Sequence, residues 1–381
     1  MRRGAVLGPV ATRPLQAAAT RRPLHTTRPT LAATAKVEDF ADKAAAYWTT
    51  QRIHWLTNGK PHLFAFSPDK PGVPTLLRTM GLLDANGAMA EGGLKKYQQV
   101  NTLFAAIEAA LAPPLRQDTK RPLRLLDLCA GQGHIALLLA HAARHRWSRP
   151  AEILAVDKDR VRIKNAQLRA EALGLDSMLR FRVARVGELR DFEEEHAEAF
   201  SRRGDPLPQE PSGVVPHAVI SLHGCDTASD EAIAFGVRAR SHALLVAPCC
   251  QAELAAKWKA AQELDVEDGG LPDGHPFALI HSTPNLRREV AADITDALRV
   301  SLVKAAGYGV TCVEFVSSEH TPKNRLLTAR RMRARDAAAG RAGALKEYDA
   351  LRDATGGHPI ALEEMLLRQD LLPGYYYNEF K

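Results

Sequence analysis

The stretch Leu123-Arg-Leu-Leu-Asp127-Leu-Cys129-Ala-Gly131-Gln-Gly133-His134 constrains the chain more than any other. A short apolar run closes in a glycine turn and passes directly into a segment with Ile135, Leu138 and Leu139 on one helical face. That is a strand without polar alternation feeding a helix. A strand buried on both sides needs helices on both faces of its sheet, which commits the chain to a layered α/β architecture.

The rest of the sequence repeats the unit. Ile153–Val156 reads as a second strand, 160–173 as a helix, Leu179–Val183 as a third strand and the acidic 188–198 as a solvated helix. Strands follow at 218–222 and 243–247, with a helix between them and another over 251–264. Leu286, Val290, Ile294, Leu298 and Leu302 mark a long helix. Segments 201–216 and 265–276 are loops by composition. The last two strands, 310–316 and 325–330, are joined by a loop too short for a crossover helix and must pair antiparallel. The fold class expected is α/β: a Rossmann-like sheet, mostly parallel with an antiparallel terminal hairpin, plus N- and C-terminal helical additions. This is the layout of class I S-adenosylmethionine (SAM) methyltransferases.

Upstream, 38–57 reads as one helix and 58–92 as a stretch punctuated by Pro and Gly. A helix from Leu94 carries Val100, Leu103, Phe104, Ile107 and Leu111 and should stop at Pro113-Pro114. Downstream, 336–381 reads as one or two helices packed outside the sheet. The expected organisation is thus a leader over 1–37, an N-terminal helical extension over 38–93, the catalytic domain over 94–335 and a C-terminal helical tail over 336–381.

The net charge of +7 looks like a nucleic-acid signal until it is located. Seven basic residues, Arg2 through Lys36, precede the first acid, Glu38, so the whole excess lies in the leader. That leader is rich in Arg, Ala and Thr, has no continuous apolar core, and has the composition of a mitochondrial transit peptide. A matrix location is the expectation. A basic tail on a cytosolic protein is the alternative. No run of about 18 apolar residues exists to span a membrane, and five cysteines in a long chain give no disulfide framework.

At the first strand-to-helix turn, Gly131 and Gly133 let the backbone approach a ligand, and the helix start beyond them offers free N–H groups. Gly131-x-Gly133-x-x-Ala136 also satisfies a dinucleotide fingerprint, with Asp157 at the second strand's tip as the ribose acid. Asp127 argues for SAM instead: it suits a methionine ammonium and would repel a pyrophosphate. The expected cofactor is therefore SAM, held by Asp127, Cys129, Gly131, Gly133, Asp157 and Lys158. The bland reading of Asp157 is a helix cap.

Segments LKKYQQVN (94–101), LRLLDLCAGQGH (123–134), AVISLHGCDTASDEAI (218–233), LLVAPCCQAEL (244–254), ITDALR (294–299) and EHTPKN (319–324) resemble a methyltransferase-domain family. It includes bacterial SAM-dependent methyltransferases with similar HACDTATD, APCCQ and HTPKN segments. The acceptor-stem tRNA 2′-O-methyltransferase and eukaryotic methyltransferase-like proteins belong to it more distantly. Cys129 stands where many relatives have Gly. The resemblance implies a SAM-binding methyltransferase with RNA as the favoured acceptor.

Methyl transfer from a sulfonium is an in-line displacement, so alignment and, for some acceptors, proton removal are what a protein supplies. The tips of the fourth and fifth strands carry His223, Cys225 and Asp226, then Pro248, Cys249 and Cys250. His223 or Asp226 is the expected positioning base; Thr227 and Asp230 are expected to cap the next helix. Cys249-Cys250 admits three readings: small buried residues, a thiolate nucleophile, or a metal site with His223 and Cys225. Lacking CxxC spacing, no metal is expected. Six basic residues between Lys323 and Arg335 form a candidate phosphate-binding run. Two rivals remain: a non-catalytic SAM-binding assembly factor of the mitochondrial ribosome, and an NAD-dependent oxidoreductase.

Overall fold

The structure, a computed structural model, describes residues 31–117, 120–200, 213–222, 224–264, 271–272, 274–315 and 324–372. His223, Lys323 and nearly all of the expected leader lie outside these residues.

The apolar runs become strands β1 (Leu123–Leu128), β2 (Ala151–Asp157), β3 (Leu179–Val183), β4 (Ala218–Ser221) and β5 (Ala243–Val246), followed by β6 (Tyr308–Glu314) and β7 (Arg325–Arg331). They form one sheet in the order β3-β2-β1-β4-β5-β7-β6. The first five are mutually parallel. Strand β7 inserts antiparallel beside β5 and pairs antiparallel with β6. The expected sheet with a reversed terminal hairpin is what the chain forms.

Alternation along the central strands divides the interior into two cores. Leu123, Leu125, Ile153, Ala155, Ile220 and Leu245 face one core. Leu126, Leu128, Leu154, Val156, Val219 and Leu244 face the other. Each buried aliphatic side chain contributes roughly 1.5–3 kcal/mol relative to exposure, so a one-residue slip in register would expose a whole row.

The helices are α1 (Leu31–Tyr47), α2 (Thr50–Leu56), α3 (Val73–Thr79), α4 (Gly93–Leu115), α5 (His134–His145), α6 (Arg160–Ala172), α7 (Phe192–Phe200), α8 (Thr227–Arg238), α9 (Glu253–Ala261), α10 (Ala278–Ser282), α11 (Pro284–Ala305), α12 (Ala334–Ala354) and α13 (Ala361–Arg368). Several depart from expectation. The single helix expected over 38–57 is two helices, because the Thr49 side chain accepts a hydrogen bond from Arg52 N and starts α2 afresh. The first of the pair begins at Leu31, inside the expected leader. Helix α3 lies in the stretch expected to be irregular, and α4 runs through Pro113 and Pro114 instead of ending there. Arg330 takes Ala109 O, the carbonyl Pro113 leaves unpaired, and buried Arg149 donates to Pro114 O in the last turn.

The chain divides into two compact units, residues 1–39 and 40–381. Within the second unit, the extension is not a separate layer. Phe40, Ala44, Trp48, Ile53 and Leu56 share one core with α4, α5 and a face of β1. Asn101 fastens this arrangement: its Oδ1 accepts from Phe66 N at 3.0 Å and its Nδ2 donates to Tyr97 O at 3.1 Å. The C-terminal helices close on themselves through Tyr348, whose hydroxyl donates to buried Glu363 at 2.6 Å. They pack against α8 and α11 rather than replacing any strand.

Candidate active site

The order β3-β2-β1-β4-β5 reverses direction between β1 and β4, and the crevice at the carboxyl ends of strands flanking such a reversal is where α/β sheets bind ligands. A cleft of about 400 Å³ lies there, lined by Cys129, Asp157, Lys158, Arg185, Cys225 and Glu231 among others.

The turn after β1 explains its glycines. Gly131 has φ 56° and a Cβ built there would meet nothing within 4 Å, so its missing side chain leaves room at the backbone. Gly133 has φ 72°, and a Cβ there would approach the Ala166 Cβ to 2.7 Å; it lets the start of α5 pack on α6. Cys129 has φ 60°, a left-handed conformation that glycine adopts without strain and cysteine does not.

Asp157 Oδ2 accepts from Gly131 N at 2.8 Å and Oδ1 from Asp159 N at 2.9 Å, so the acid at the β2 tip is tied to the glycine turn. The cap of α6 is Asp159, which accepts from Val161 N and Arg162 N. Asp157 is therefore no helix cap. Lys158 is exposed on the cleft wall.

Asp127 is 2% exposed, and its Oδ2 accepts from Ala136 N in the first turn of α5 at 3.1 Å. Burial, reinforced by Asp157 nearby, pushes its carboxyl up to about 7 despite that hydrogen bond. A buried acid with no cationic partner among the described residues is what an ammonium ligand would compensate. The donor set fits SAM: a buried acid, a second acid at β2, and glycines that clear the backbone. The third strand is followed by Ala184 and Arg185, not an acid. Glu231 of α8 brings a carboxylate to the same cleft, its Oε2 accepting from Gly187 N at 3.1 Å. Nothing in the β3 sequence signalled it, because it comes from a helix more than 40 residues on.

On the acceptor side the structure brings Cys225, Asp226, Cys249 and Cys250 together. Asp226 N donates to Cys250 O at 2.8 Å, and its Oδ1 accepts from Ala252 N and Glu253 N at the start of α9. The Cys225 and Cys249 sulfurs are 3.0 Å apart. Burial, with Cys225 beside it, pushes the Cys249 thiol up to about 12.

The helix-cap expectation for Asp230 is overturned. It is wholly buried and receives Arg299 Nε at 2.8 Å and Nη2 at 2.7 Å. Burial pushes Asp230 up while Arg299 pulls it down; two aligned short bonds to a guanidinium make this an ion pair. Arg299 reaches on to Asp296, whose oxygens receive Gln251 Nε2 at 3.1 and 3.0 Å. Arg325 also pairs with Asp296 and, at 2.6 Å, with Asp293. Sequence reasoning missed this network. The expected basic run is correspondingly reduced, since Arg325 is committed to acids and Arg330 donates to Ala109 O. Lys95 and Lys96 are exposed on α4, while Tyr97 is buried against Phe64.

Residues 95–257 match the family model described as a methyltransferase domain. A Drosophila melanogaster protein, "Glutathione S-transferase C-terminal domain-containing protein homolog", is 27% identical over 252 residues, covering 62% of this chain and 36% of its own. The chain thus spans about a third of that curated relative's length. Among solved structures, a SAM-dependent methyltransferase from Aquifex aeolicus is 12% identical with a TM-score of 0.31, covering 60% of this chain and 89% of that one. One from Geobacter sulfurreducens, in complex with S-adenosyl-L-homocysteine, is 13% identical with a TM-score of 0.30, covering 72% and 82%. Likenesses at that level bear on neither acceptor nor partner. Sheet order and family match together define the class: a Rossmann-like, SAM-dependent methyltransferase domain.

Proposed function

We propose that the whole protein transfers a methyl group from SAM to RNA in the mitochondrial matrix. One observation carries the acceptor side of this reading. Three of the segments that resemble the family, those after β4, after β5 and in α11, converge on the buried network of Asp230, Arg299, Asp296 and Gln251. SAM binding alone does not require such a wall behind the strand tips.

SAM, when bound, supplies an electrophilic methyl on a sulfonium. The chain's own residues would do the rest. Asp127 would hold the ammonium and Asp157 the ribose hydroxyls, with Glu231 beside them; Cys129, Gly131, Gly133 and Lys158 would shape the cleft around them. Asp226 fixes the loops after β4 and β5 relative to each other, which is orientation, the main lever for a displacement of this kind. RNA as acceptor rests on the family resemblance, and the matrix location on the acid-free basic leader.

The test is labelled SAM offered separately to total mitochondrial RNA, protein and small molecules. Label entering RNA with the wild-type chain and not with Asp127→Asn supports the proposal; label entering only protein or small molecules refutes RNA as acceptor. A second reading, a SAM-binding ribosome assembly factor without catalysis, is favoured by Asp226 having Oδ1 committed to α9. It predicts SAM affinity with no label in any pool.

A further inference from the structure

Three thiols from two different strand tips converge beside the cofactor cleft. Cys225 follows β4, and Cys249 and Cys250 follow β5, more than 20 residues later in the chain. Their sulfurs all lie within 4.8 Å of one another, with Cys225 and Cys249 at 3.0 Å. Four-coordinate zinc with Zn–S bonds of about 2.3 Å places its sulfurs about 3.8 Å apart, in the middle of that spread. Sequence spacing gave no hint of it, because no pair is separated as in CxxC.

The convergence is imposed by the backbone. Asp226 N bonds Cys250 O, Asp226 Oδ1 bonds the first N–H groups of α9, and Ser229 Oγ donates to Gly224 O at 2.7 Å. These contacts lock both loops without using any of the three sulfurs. Asp226 accomplishes this at φ 52° and ψ −125°, a strained conformation for a residue with a side chain. Cys225 also lines the cleft that holds Asp157 and Glu231.

We propose that Cys225, Cys249 and Cys250 bind a soft divalent cation, zinc by its ligand preference, with the fourth coordination position open toward the cleft. Binding converts three thiols into three thiolates bonded to the ion and passes three protons to solvent, so uptake strengthens as pH rises. A three-ligand site with an open position is the arrangement zinc takes when it meets a substrate rather than only bracing a fold. The inference goes beyond the proposed acceptor and does not depend on it.

The test uses the purified full chain, reduced with a phosphine and dialysed against zinc. One zinc per chain is expected, and cobalt in its place should give intense thiolate-to-metal absorption. Cys225→Ser, Cys249→Ser and Cys250→Ser should each weaken zinc binding by about a hundredfold or more, exceeding the roughly 10–100-fold typical of losing a ligand's supporting partner. Cys312→Ser, which removes an exposed thiol on β6, should leave it unchanged. Substoichiometric zinc in the reduced wild type, a cobalt spectrum without thiolate bands, or wild-type affinity in Cys249→Ser overturns the proposal. SAM affinity read on the same samples separates the two readings: SAM bound without zinc removes the metal site and leaves the methyltransferase reading standing.

Discussion

Replacing Asp127 with asparagine should stabilise the ligand-free protein while crippling it. The carboxyl is wholly buried and sits at about 7, against an ordinary 3.8. Between those values the folded state binds more protons than the unfolded one, so this group makes stability fall as pH rises. At about 1.4 kcal/mol per pH unit the full cost is about 4 kcal/mol, of which about 2 kcal/mol accrues between pH 5.5 and 8.5. An amide escapes this cost and can still accept the Ala136 N–H. Urea denaturation should therefore show Asp127→Asn gaining on the wild type by about 2 kcal/mol over that range. Calorimetry should show the reverse for function: wild-type SAM affinity falls about tenfold per unit below pH 7, because a protonated carboxyl cannot pair with an ammonium. Asp127→Asn should bind about a hundredfold more weakly at pH 8, through loss of a charged hydrogen bond. A stability difference that does not change with pH, or a variant less stable than wild type throughout, would refute the reasoning.

The two glycines of the turn should separate in the same assays. Gly133→Ala should cost about 2–4 kcal/mol, from φ 72° and a 2.7 Å approach to Ala166. Gly131→Ala should cost only the left-handed strain, about 1–2 kcal/mol, yet weaken SAM binding by intruding on open space; equal costs at both sites would contradict the geometry. Arg299→Met leaves Asp230 buried without its guanidinium, and denaturation should register a loss of about 3–5 kcal/mol. Glu231→Gln should keep the Gly187 contact and stability within about 0.5 kcal/mol. Its SAM affinity should fall about tenfold, roughly 1.4 kcal/mol, and unchanged affinity would remove Glu231 from the cofactor site.

The centre of the sheet was legible because β1, β2, β4 and β5 are apolar on both faces, a pattern that depends only on local composition. The reversed hairpin followed from the short connection between the last two strands. Asp127, Gly131, Gly133 and Asp157 were legible for the same reason: a single strand–turn–helix holds the glycines, and the second acid sits at the end of the next strand. What escaped depends on distant partners. Asp230 read as a cap because it follows Thr227 near a helix start, and only the fold reveals Arg299, 69 residues away, beneath it. Proline at 113 and 114 reads as a stop, but the carbonyl that Pro113 frees four residues back, Ala109 O, is taken by Arg330, which no local pattern announces. The break at Thr49 was missed because one capping hydroxyl outweighs a helical composition that continues on either side. The six basic residues from Lys323 to Arg335 read as one phosphate-binding run, whereas among the described ones Arg325 pairs with Asp293 and Asp296 and Arg330 donates to Ala109 O.

Two residues with side chains adopt positive φ at the carboxyl edge of the sheet, Cys129 at 60° and Asp226 at 52°; Cys129 lines the cofactor cleft, as do Cys225 and Thr227 on either side of Asp226. Strain of order 1–3 kcal/mol persists only where the surroundings over-determine it. For Cys129 the surroundings are β1 and the glycine turn, which hold the cofactor side. For Asp226 they are the Cys250 carbonyl, the first N–H groups of α9 and the Arg299 guanidinium on its own carbonyl at 3.2 Å. Removing the Asp226 carboxylate would thus free the start of α9 from the β4 loop and loosen the two loops, which the Asp226 N–Cys250 O bond still joins. A loss of activity in Asp226→Ala is therefore ambiguous by itself, whereas Asp226→Asn, which keeps an oxygen for both N–H groups, is not. If that variant retains the rate, Asp226 acts by holding the acceptor wall in place, and proton removal falls to another group or is not needed.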